Sequence, residues 1–398
     1  MQTRVITTTA DLTAFCATFG DERFITVDTE FIRERTYFPQ LCLMQVATSK
    51  EAVAIDPLSG EIDLQPLYDA FADERLLKVF HAAKQDIEIF VHDSGRVPLP
   101  MYDTQIAAMV CGFGDSASYE TLVGELVGAR LDKASRFTDW AKRPLTQRQL
   151  DYALDDVIHL RKVFEKLERQ IEEDGRTQWI AEEMEDLTII TNYRVDIDHV
   201  WQRLKVKSRS AEVLQLLRAA ARWREQQAMR RDLPRQRVLK DDFVTQIAAM
   251  LPKSVEELHE LRGLQGQLNK EAMASLIEAL NDARAEPKES WPQPEDRQKP
   301  MPAAQEGCLD QLKLLLRQRC EDEHLVPRLV ADKEELEALV RGKKSFEQCH
   351  IGHGWRYDVF GKYAKAVIDG KLTAHVAPHK GGFGLIWSPA GSAEKQPA

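Results

Sequence analysis

Short apolar runs separated by polar and turn residues fill the first half of the chain, and longer repeats of helical spacing fill the second half. Apolar runs of about four to eight residues predict strands, whereas apolar residues that recur every three or four positions predict helices. Strands are expected at 4–7, 24–30, 41–46, 51–55 and 76–80, and helices at 9–20, 65–72, 81–91, 105–111, 119–128 and 146–170. This alternation predicts an α/β layered domain with a mixed central sheet over residues 1–190.

The second half of the chain has the apolar periodicity of helices alone. A segment rich in Pro and in charged residues, 286–306, interrupts it and has the composition of a linker. The helices that follow match those before the segment in order and size, which predicts a duplicated unit of roughly 70–80 residues. We therefore expect a connector at 191–210, all-helical domains at 211–285 and 307–376, and a disordered tail at 377–398.

The composition indicates a protein of a reducing compartment. Six cysteines are scattered without a Cys-x-x-Cys pair, which suits a cytoplasmic location and argues against a structural zinc site. The sequence has no apolar run of ~18 residues and no apolar signal core near Met1. We expect a cytoplasmic monomer without a membrane partner.

Charge is distributed unevenly along the chain. The net charge is −10, yet residues 201–240 carry twelve Lys and Arg against three acids, and residues 171–200 carry two Arg against nine acids. A basic block beside an acidic one suggests a localised surface for a polyanion. The alternative is a well-solvated helix surface.

Two acids, Asp28 and Glu30, follow the buried apolar strand that begins at Phe24. Side chains alternate along a strand, so both carboxylates share one face, roughly 6.6 Å apart along it. Neighbouring carboxylates repel each other and resist burial, and a bound cation would compensate for both effects. The alternative is a strand that ends in solvent with two surface acids.

Three further positions complete a candidate site. Asp86 lies early in a predicted helix, where an acid also complements the helix dipole. Tyr152 and Asp156 are four residues apart in another helix and project from one face. Four carboxylates so placed can hold two divalent cations about 3.5–4 Å apart for phosphodiester hydrolysis, and hard oxygen ligands favour Mg²⁺ or Mn²⁺. A tyrosine hydroxyl can orient the attacking water.

Several polar residues near these acids have more modest interpretations. Asp103 is expected to cap the helix at 105–111, and His81 is expected to be a helix-start or core residue instead of a ligand. Tyr37 could stack on a terminal base or pack in the core. Gln45 and Arg33 could contact an RNA backbone or support the acids.

The motifs around these acids closely resemble those of the ribonuclease D family, which belongs to the DEDD exonucleases. The resemblance rests on residues 27–31, 80–88 and 152–157, and the tyrosine four residues before Asp156 points to the tyrosine branch. The helical domain at 211–285 resembles an HRDC domain, and the domain at 307–376 resembles a diverged copy of it. The resemblance thus implies a ribonuclease H-like exonuclease domain followed by two all-α HRDC-like domains.

The resemblance also implies an activity: 3′→5′ exoribonuclease action on the 3′ ends of structured RNAs, particularly tRNA precursors, with release of 5′-mononucleotides. It implies that Asp28, Glu30 and Asp156 bind one metal ion. By the same resemblance Asp28 also touches a second ion held by Asp86, and Tyr152 positions the nucleophilic water. The first HRDC-like domain would supply a basic groove whose candidate phosphate contacts are Lys205, Lys207, Arg209, Arg222 and Arg224.

Two other functions remain open at this point. One is a 3′→5′ DNA exonuclease for proofreading or repair, although the sequence has no GxxxxGK[ST] loop or other polymerase or helicase motif. The other is a non-catalytic RNA-binding protein on the same fold, against which the complete set of acids argues.

Overall fold

The computed structural model describes the chain except for residues 61, 133–137, 207, 209, 295–299, 380 and 391–398 and the side chain of 379. Its first half is built on a six-stranded sheet. The strands are β1 (Gln2–Ile6), β2 (Phe24–Ile32), β3 (Gln40–Ala47), β4 (Glu51–Ile55), β5 (Leu77–Phe80) and β6 (Met101–Asp103). They are ordered β1-β4-β3-β2-β5-β6, with β3 antiparallel to both neighbours and the other pairs parallel. The predicted mixed sheet is confirmed.

Helices cover this sheet on both faces. They are α1 (Thr9–Cys16), α2 (Gln65–Phe71), α3 (Lys84–Ser94), α4 (Thr104–Val110), α5 (Tyr119–Leu122), α6 (Gln147–Glu173) and α7 (Thr177–Thr188). The longest, α6, starts at a capping box in which Thr146 and Gln149 satisfy each other's backbone N–H groups. Its apolar stripe, which includes Ala153 and Val157, packs on the central strands. This packing carries the α6 residues of the candidate site to the sheet.

The first helical unit contains α8 (Ala211–Arg231), α9 (Arg235–Val238), α10 (Asp241–Met250), α11 (Val255–His259) and α12 (Lys270–Ala285). It has its own apolar core, to which the connector contributes Val200 and Leu204. Trp223 lies in that core and donates its indole N–H to Ser275 at 3.1 Å. The helices agree with the periodicity of the sequence.

The second helical unit contains α13 (Ala303–Asp322), α14 (Pro327–Val330), α15 (Lys333–Val340), α16 (Gly354–Arg356) and α17 (Lys362–Ile368). A long helix, a four-residue helix and a middle-length helix follow one another as in the first unit. The unit begins at Ala303, four residues before the predicted boundary at 307. The four residues after Pro302 are Ala, Ala, Gln and Glu, which are good helix formers, so the helix starts directly after the proline.

The second unit shares one apolar core with the exonuclease half of the chain. Trp355 stacks on Trp179 of α7, with ring centroids 4.8 Å apart. Arg356 pairs with Glu183 of the same helix at 2.6 Å. The linker is therefore flanked by two helical units, of which the second is packed firmly against the sheet domain.

The prediction of a disordered tail at 377–398 is wrong over the part that the structure describes. β7 (Leu372–His379) and β8 (Gly382–Pro389) form an antiparallel hairpin. Its turn contains Gly381 at φ +84°, a conformation that glycine adopts without strain. Trp387 anchors the hairpin to α13 through a 3.0 Å hydrogen bond to Gln318. Residues 391–398 lie outside the described part.

No helix in the described part of the chain is long and apolar enough to cross a membrane.

Candidate metal centre

Strand β2 fixes the first two acids at the centre of the sheet. It is hydrogen-bonded to β3 on one side and to β5 on the other, and Ile25 and Val27 are fully buried. Asp28 lies opposite Gln45 on β3, and a register shift follows directly after Glu30. The acids therefore project from a strand that cannot rotate, just before the chain leaves the regular ladder.

Asp86 is placed by an unusual turn between β5 and α3. Ala82 has a φ of +58°, which non-glycine residues rarely adopt. The buried carboxylate of Asp103 holds this turn, accepting backbone N–H groups from Ala82, Ala83 and Gln105 at 2.8–2.9 Å. The predicted role of Asp103 as the N-cap of the next helix is thus confirmed. Thr29 donates its hydroxyl to Asp86 and links that acid to the strand of Asp28.

Helix α6 supplies Tyr152 and Asp156 on adjacent turns of one face. The hydroxyl of Thr26 on β2 donates to the carbonyl of Val157 at 2.8 Å and ties the helix to the strand. The hydroxyl of Tyr119 donates to the backbone carbonyl of Asp156. These two contacts fix the height and rotation of α6 above the acids of β2.

The structure brings three of the four sequence-predicted acids together. One carboxylate oxygen from each of Asp28, Glu30 and Asp156 lies within 4.8 Å of the others. Asp86 is not in that group of three, but its carboxylate accepts the hydroxyl of Thr29, the residue next to Asp28, and the charge of Asp28 contributes to raising the pKa of Asp86. The set is therefore one cluster of three acids with a fourth at its edge, drawn from three separate segments of the chain.

The electrostatics of the cluster fit a divalent cation. Burial raises the pKa of Asp28 to about 6. Burial, and then the neighbouring Asp28 charge, raise the pKa of Asp86 well above its usual value. Like charges in a partly buried pocket are unfavourable without a counter-ion. All donors are carboxylate oxygens, the ligand type that Mg²⁺ and Mn²⁺ prefer.

The side chain of Gln45 is a second indication that the centre binds a group from outside the protein. It is fully buried opposite Asp28, and neither atom of its carboxamide has a hydrogen-bond partner among the described residues. Buried amides are normally hydrogen-bonded, so an unpaired carboxamide opposite Asp28 is consistent with a polar centre that the protein groups alone do not complete. Arg33, considered with Gln45 from the sequence, pairs with Glu88 at 2.7 Å.

Three supporting residues were not identified as part of the site from the sequence: Thr29, Tyr119 and, in its contact with the Ala82 turn, Asp103. Of these three, only Thr29 could have been recognised from the sequence as a neighbour of the site, since it stands between two acids on a strand. His81 agrees with the core role expected for it, because it is largely enclosed, bonds Thr104 at 3.0 Å, and has a pKa lowered by burial to about 4.

Comparison with known proteins follows the same division of the chain. A 3′-5′ exonuclease family model matches residues 3–172, and an HRDC domain model matches residues 213–280. A ribonuclease D from Zymomonas mobilis is 42% identical over 386 residues, covering 96% of this chain and 98% of that protein. A ribonuclease D from Granulibacter bethesdensis is also 42% identical, covering 92% and 93%. The chain belongs to the ribonuclease D family.

A solved structure supports this membership. The chain is similar to Escherichia coli RNase D, described as an exoribonuclease involved in structured RNA processing, with a TM-score of 0.78 and 28% identity. The alignment covers 93% of this chain and 99% of that one. As a member of this family, the chain is a 3′→5′ exoribonuclease with an exonuclease domain and a following HRDC domain. Its exonuclease family uses divalent metals, with which the acid cluster is consistent.

The predicted RNA contacts of the HRDC domain divide into three groups. Lys205 is exposed, and Arg222 is half-exposed and lies 3.3 Å from Asp198. Arg224 is buried, and its guanidinium bonds the carbonyl of Leu239 and the carboxylate of Asp241, so it holds α8 to α10 and is not available to phosphate. That expectation for Arg224 was wrong, because charge alone does not reveal which arginines are internal. Lys207 and Arg209 lie outside the described residues.

A cleft of about 990 Å³ lies between the exonuclease domain and the HRDC domain. Arg33 and Lys84 line it from the exonuclease side, Arg194 and Arg203 from the connector, and Arg235 from the HRDC side. Lys84 is two residues before Asp86 in the same helix. The cleft therefore reaches the helix that carries one of the metal-site acids.

Proposed function

We propose that the chain removes 5′-mononucleotides one at a time from the 3′ ends of structured RNAs, tRNA precursors among them, with two divalent ions. The observation that carries this proposal is the convergence of Asp28, Glu30 and Asp156 within 4.8 Å. Asp86 stands at the edge of that cluster, beside Asp28. The protein would act as a monomer in the cytoplasm, a reducing compartment that suits six cysteines that are all free thiols in the described chain.

The acids divide into two sets of ligands. Asp28, Glu30 and Asp156 would hold one Mg²⁺ or Mn²⁺ ion, and Asp86 together with Asp28 would hold the other. Such ions lower the pKa of water and stabilise charge on the leaving oxygen of a phosphodiester. Thr29 keeps the Asp86 carboxylate oriented, because its hydroxyl donates to that group.

Tyr152 would orient the attacking water. Its hydroxyl projects from the same face of α6 as Asp156, one turn earlier, and its ring lies 6.1 Å from that of Trp140. The water oxygen forms a bond to phosphorus as the bond from phosphorus to the preceding 3′ oxygen breaks. That oxygen takes up a proton, and the water gives one up to solvent or to a carboxylate of the site.

The cleft beside α3 would receive the RNA strand that leads to this centre. The exposed side chains of Lys84, Arg194 and Arg203 line it. Of the HRDC candidates, Lys205 and Arg222 stay in the proposal, with Lys207 and Arg209. Several other arginines of the basic block are engaged in ion pairs, including Arg218 with Glu286 and Arg235 with Glu225. The phosphate-binding surface is thus smaller than the net charge of the block implies.

A matched pair of asparagine variants tests the assignment of the acids. Asp156→Asn removes a ligand, whereas Asp151→Asn changes an exposed acid of the same helix that accepts a 2.8 Å hydrogen bond from Gln147. We expect Asp156→Asn to abolish nucleotide release while RNA binding and the folded structure are retained, and Asp151→Asn to behave as wild type. Near-normal turnover by Asp156→Asn would contradict the metal-site assignment.

Deleting residues 211–398 would remove both helical units, but it would not isolate their contribution to RNA binding. The second unit shares its apolar core with the exonuclease domain, so the deletion would expose that core. Changing Lys205 and Arg222 together to Ala is cleaner. It should weaken binding of tRNA-length RNA more than of short oligomers and should reduce the salt dependence of binding. Equal loss for both RNA lengths would remove these residues from the RNA surface.

A further inference from the structure

The loop of residues 33–39 joins β2 to β3 and begins three residues after Glu30. It is held from outside the exonuclease domain. Asp232, at the end of HRDC helix α8, accepts the backbone N–H groups of Tyr37 and Phe38 on one carboxylate oxygen, at 2.9 and 3.0 Å. Asp232 has a φ of +46°, so its backbone takes the left-handed conformation that ends the helix and turns its carboxylate toward the loop.

A second contact lies beside the first. Glu225 of α8 is fully buried, and Arg235 of α9 meets both of its oxygens at 2.6 Å. Tyr37 donates its hydroxyl to the same carboxylate, and its ring centroid lies 5.0 Å from the Arg235 guanidinium. A buried carboxylate is stable only when it is paired and hydrogen-bonded, and here one of its partners comes from the other domain.

The opposite side of the loop contacts α3, the helix of Asp86. Phe38 stacks on His92 with ring centroids 4.0 Å apart. Arg33 pairs with Glu88, which is two residues after Asp86. The loop is therefore held between the helix of one metal-site acid and the HRDC domain, while its own strand carries two others.

We propose that Tyr37, Glu225, Asp232 and Arg235 form an interdomain clamp that positions the β2–β3 loop as a wall of the active site. The HRDC domain then contributes to the catalytic step itself, in addition to any RNA that it binds. This inference rests on the exoribonuclease activity and on the proposed cleft, which the loop lines through Arg33, Thr36 and Tyr37.

The physical reason is the conformational freedom of an unclamped loop. Outside the β ladder, ordering each backbone residue costs conformational entropy, and few contacts within the loop offset this cost. Within the loop, the hydroxyl of Thr36 donates to the carbonyl of Phe38. The other polar contacts described above join the loop to different elements: Arg33 pairs with α3, and Tyr37 bonds the HRDC domain. Without the clamp the loop would keep only its contacts with α3 and would sample more conformations beside Glu30. The RNA 3′ end would then be held in the reactive position less often.

Asp232 allows a test that leaves the backbone unstrained. Asp232→Gly removes the acceptor but keeps access to positive φ, and Asp232→Asn keeps an acceptor oxygen at the same place. Asp115→Ala is the control, because it removes the 3.1 Å ion pair to Arg328 that joins the exonuclease domain to the second helical unit. All variants are made in the full-length chain.

Two readouts separate the clamp from the activity on which it rests. Hydrogen exchange at the Tyr37 and Phe38 amides should accelerate in Asp232→Gly and return toward wild type in Asp232→Asn. On a short RNA oligomer, kcat should fall about tenfold or more in Asp232→Gly, since hydrogen bonds to a charged acceptor are lost, while KM changes little. Asp232→Asn should recover most of this loss, and Asp115→Ala should change neither readout.

Unchanged exchange in Asp232→Gly would show that the clamp does not hold the loop. Faster exchange with unchanged kcat would show that the loop is held but does not position RNA, and either result overturns the inference. A wild-type protein without nuclease activity would instead contradict the proposed function, because the exchange measurement does not depend on turnover. A loss confined to KM would place the clamp in RNA binding and would also overturn the catalytic role.

Discussion

Asp28→Asn should make the metal-free protein more stable while it destroys activity. Burial raises the pKa of Asp28 to about 6 from its usual 3.8. Each factor of ten in an acid dissociation constant corresponds to about 1.4 kcal/mol, so the charged form of this acid lowers the stability of the metal-free fold by up to ~3 kcal/mol at neutral pH. Asparagine has nearly the same shape and no charge, so this cost disappears.

The sign of the pH dependence follows from the same numbers. The folded protein holds the Asp28 proton more tightly than the unfolded chain does, so stability falls as the pH rises from about 4 through about 6. The gain from Asp28→Asn should therefore be small near pH 4 and complete above pH 7. Bound Mg²⁺ should stabilise the wild type and have much less effect on the variant, because ligand binding to the folded state raises the melting temperature.

Thermal unfolding in EDTA and in Mg²⁺, at pH 5 and pH 8, measures both effects, with Asp151→Asn as the control on α6. We expect Asp28→Asn to melt several degrees above wild type in EDTA at pH 8, and by a smaller margin at pH 5. A lower melting temperature at pH 8 in EDTA, or a gain that does not depend on pH, would refute the argument from burial. Nucleotide release by the variant would refute the ligand assignment.

Three further changes test other parts of the structure. Tyr152→Phe should slow single-turnover release more than it weakens RNA binding; an unchanged rate would exclude a role in orienting water. Thr29→Val removes the hydroxyl that donates to Asp86, so the Mg²⁺ needed for half-maximal activity should rise about tenfold, and Thr29→Ser should restore it; equal Mg²⁺ dependence would contradict this role. Trp355→Ala should lower the free energy of unfolding by ~3–5 kcal/mol in urea titrations, because the buried ring stacks on Trp179 at 4.8 Å; a change below ~1 kcal/mol would show that this joint is not important.

The acids of the site could be predicted from the sequence because each one is placed by a local element. Asp28 and Glu30 end an apolar strand, Asp86 starts a helix, and Tyr152 and Asp156 are one helical turn apart. Strand alternation and helical periodicity are properties of short segments, so their geometry follows without knowledge of the rest of the fold. The mixed sheet could be predicted for the same reason.

The contact of Asp103 with the Ala82 turn and the contact of Tyr37 with the HRDC domain could not be predicted, because both depend on partners far away in the chain. Asp103 holds the Ala82 turn across two strands, and Tyr37 meets Glu225, which lies 188 positions further along the chain. From the sequence, Tyr37 was a candidate for base stacking or for core packing; the structure gives it an interdomain hydrogen bond. Arg224 was misassigned because burial, unlike charge, is not visible in a basic helix.

The disordered tail predicted in place of the C-terminal hairpin was wrong for a different reason. The two glycines at 381 and 382 lie between apolar alternating segments, which is a hairpin signal, but the Gly, Pro and Ser content of the segment favoured disorder. Trp387 decides the outcome by reaching Gln318, a contact between segments 69 residues apart. Composition was a weaker guide here than the period-two pattern.

The most direct test of the central claim is the product analysis of a single substrate. A 5′-labelled tRNA with a 3′ extension, and a matched single-stranded DNA, are incubated with the purified protein in Mg²⁺, Mn²⁺ or EDTA. The proposed function predicts a ladder of RNAs shortened from the 3′ end and free 5′-mononucleotides, with Mg²⁺ or Mn²⁺ but not with EDTA. Internal cleavage, release that persists in EDTA, or degradation of the DNA alone would contradict it.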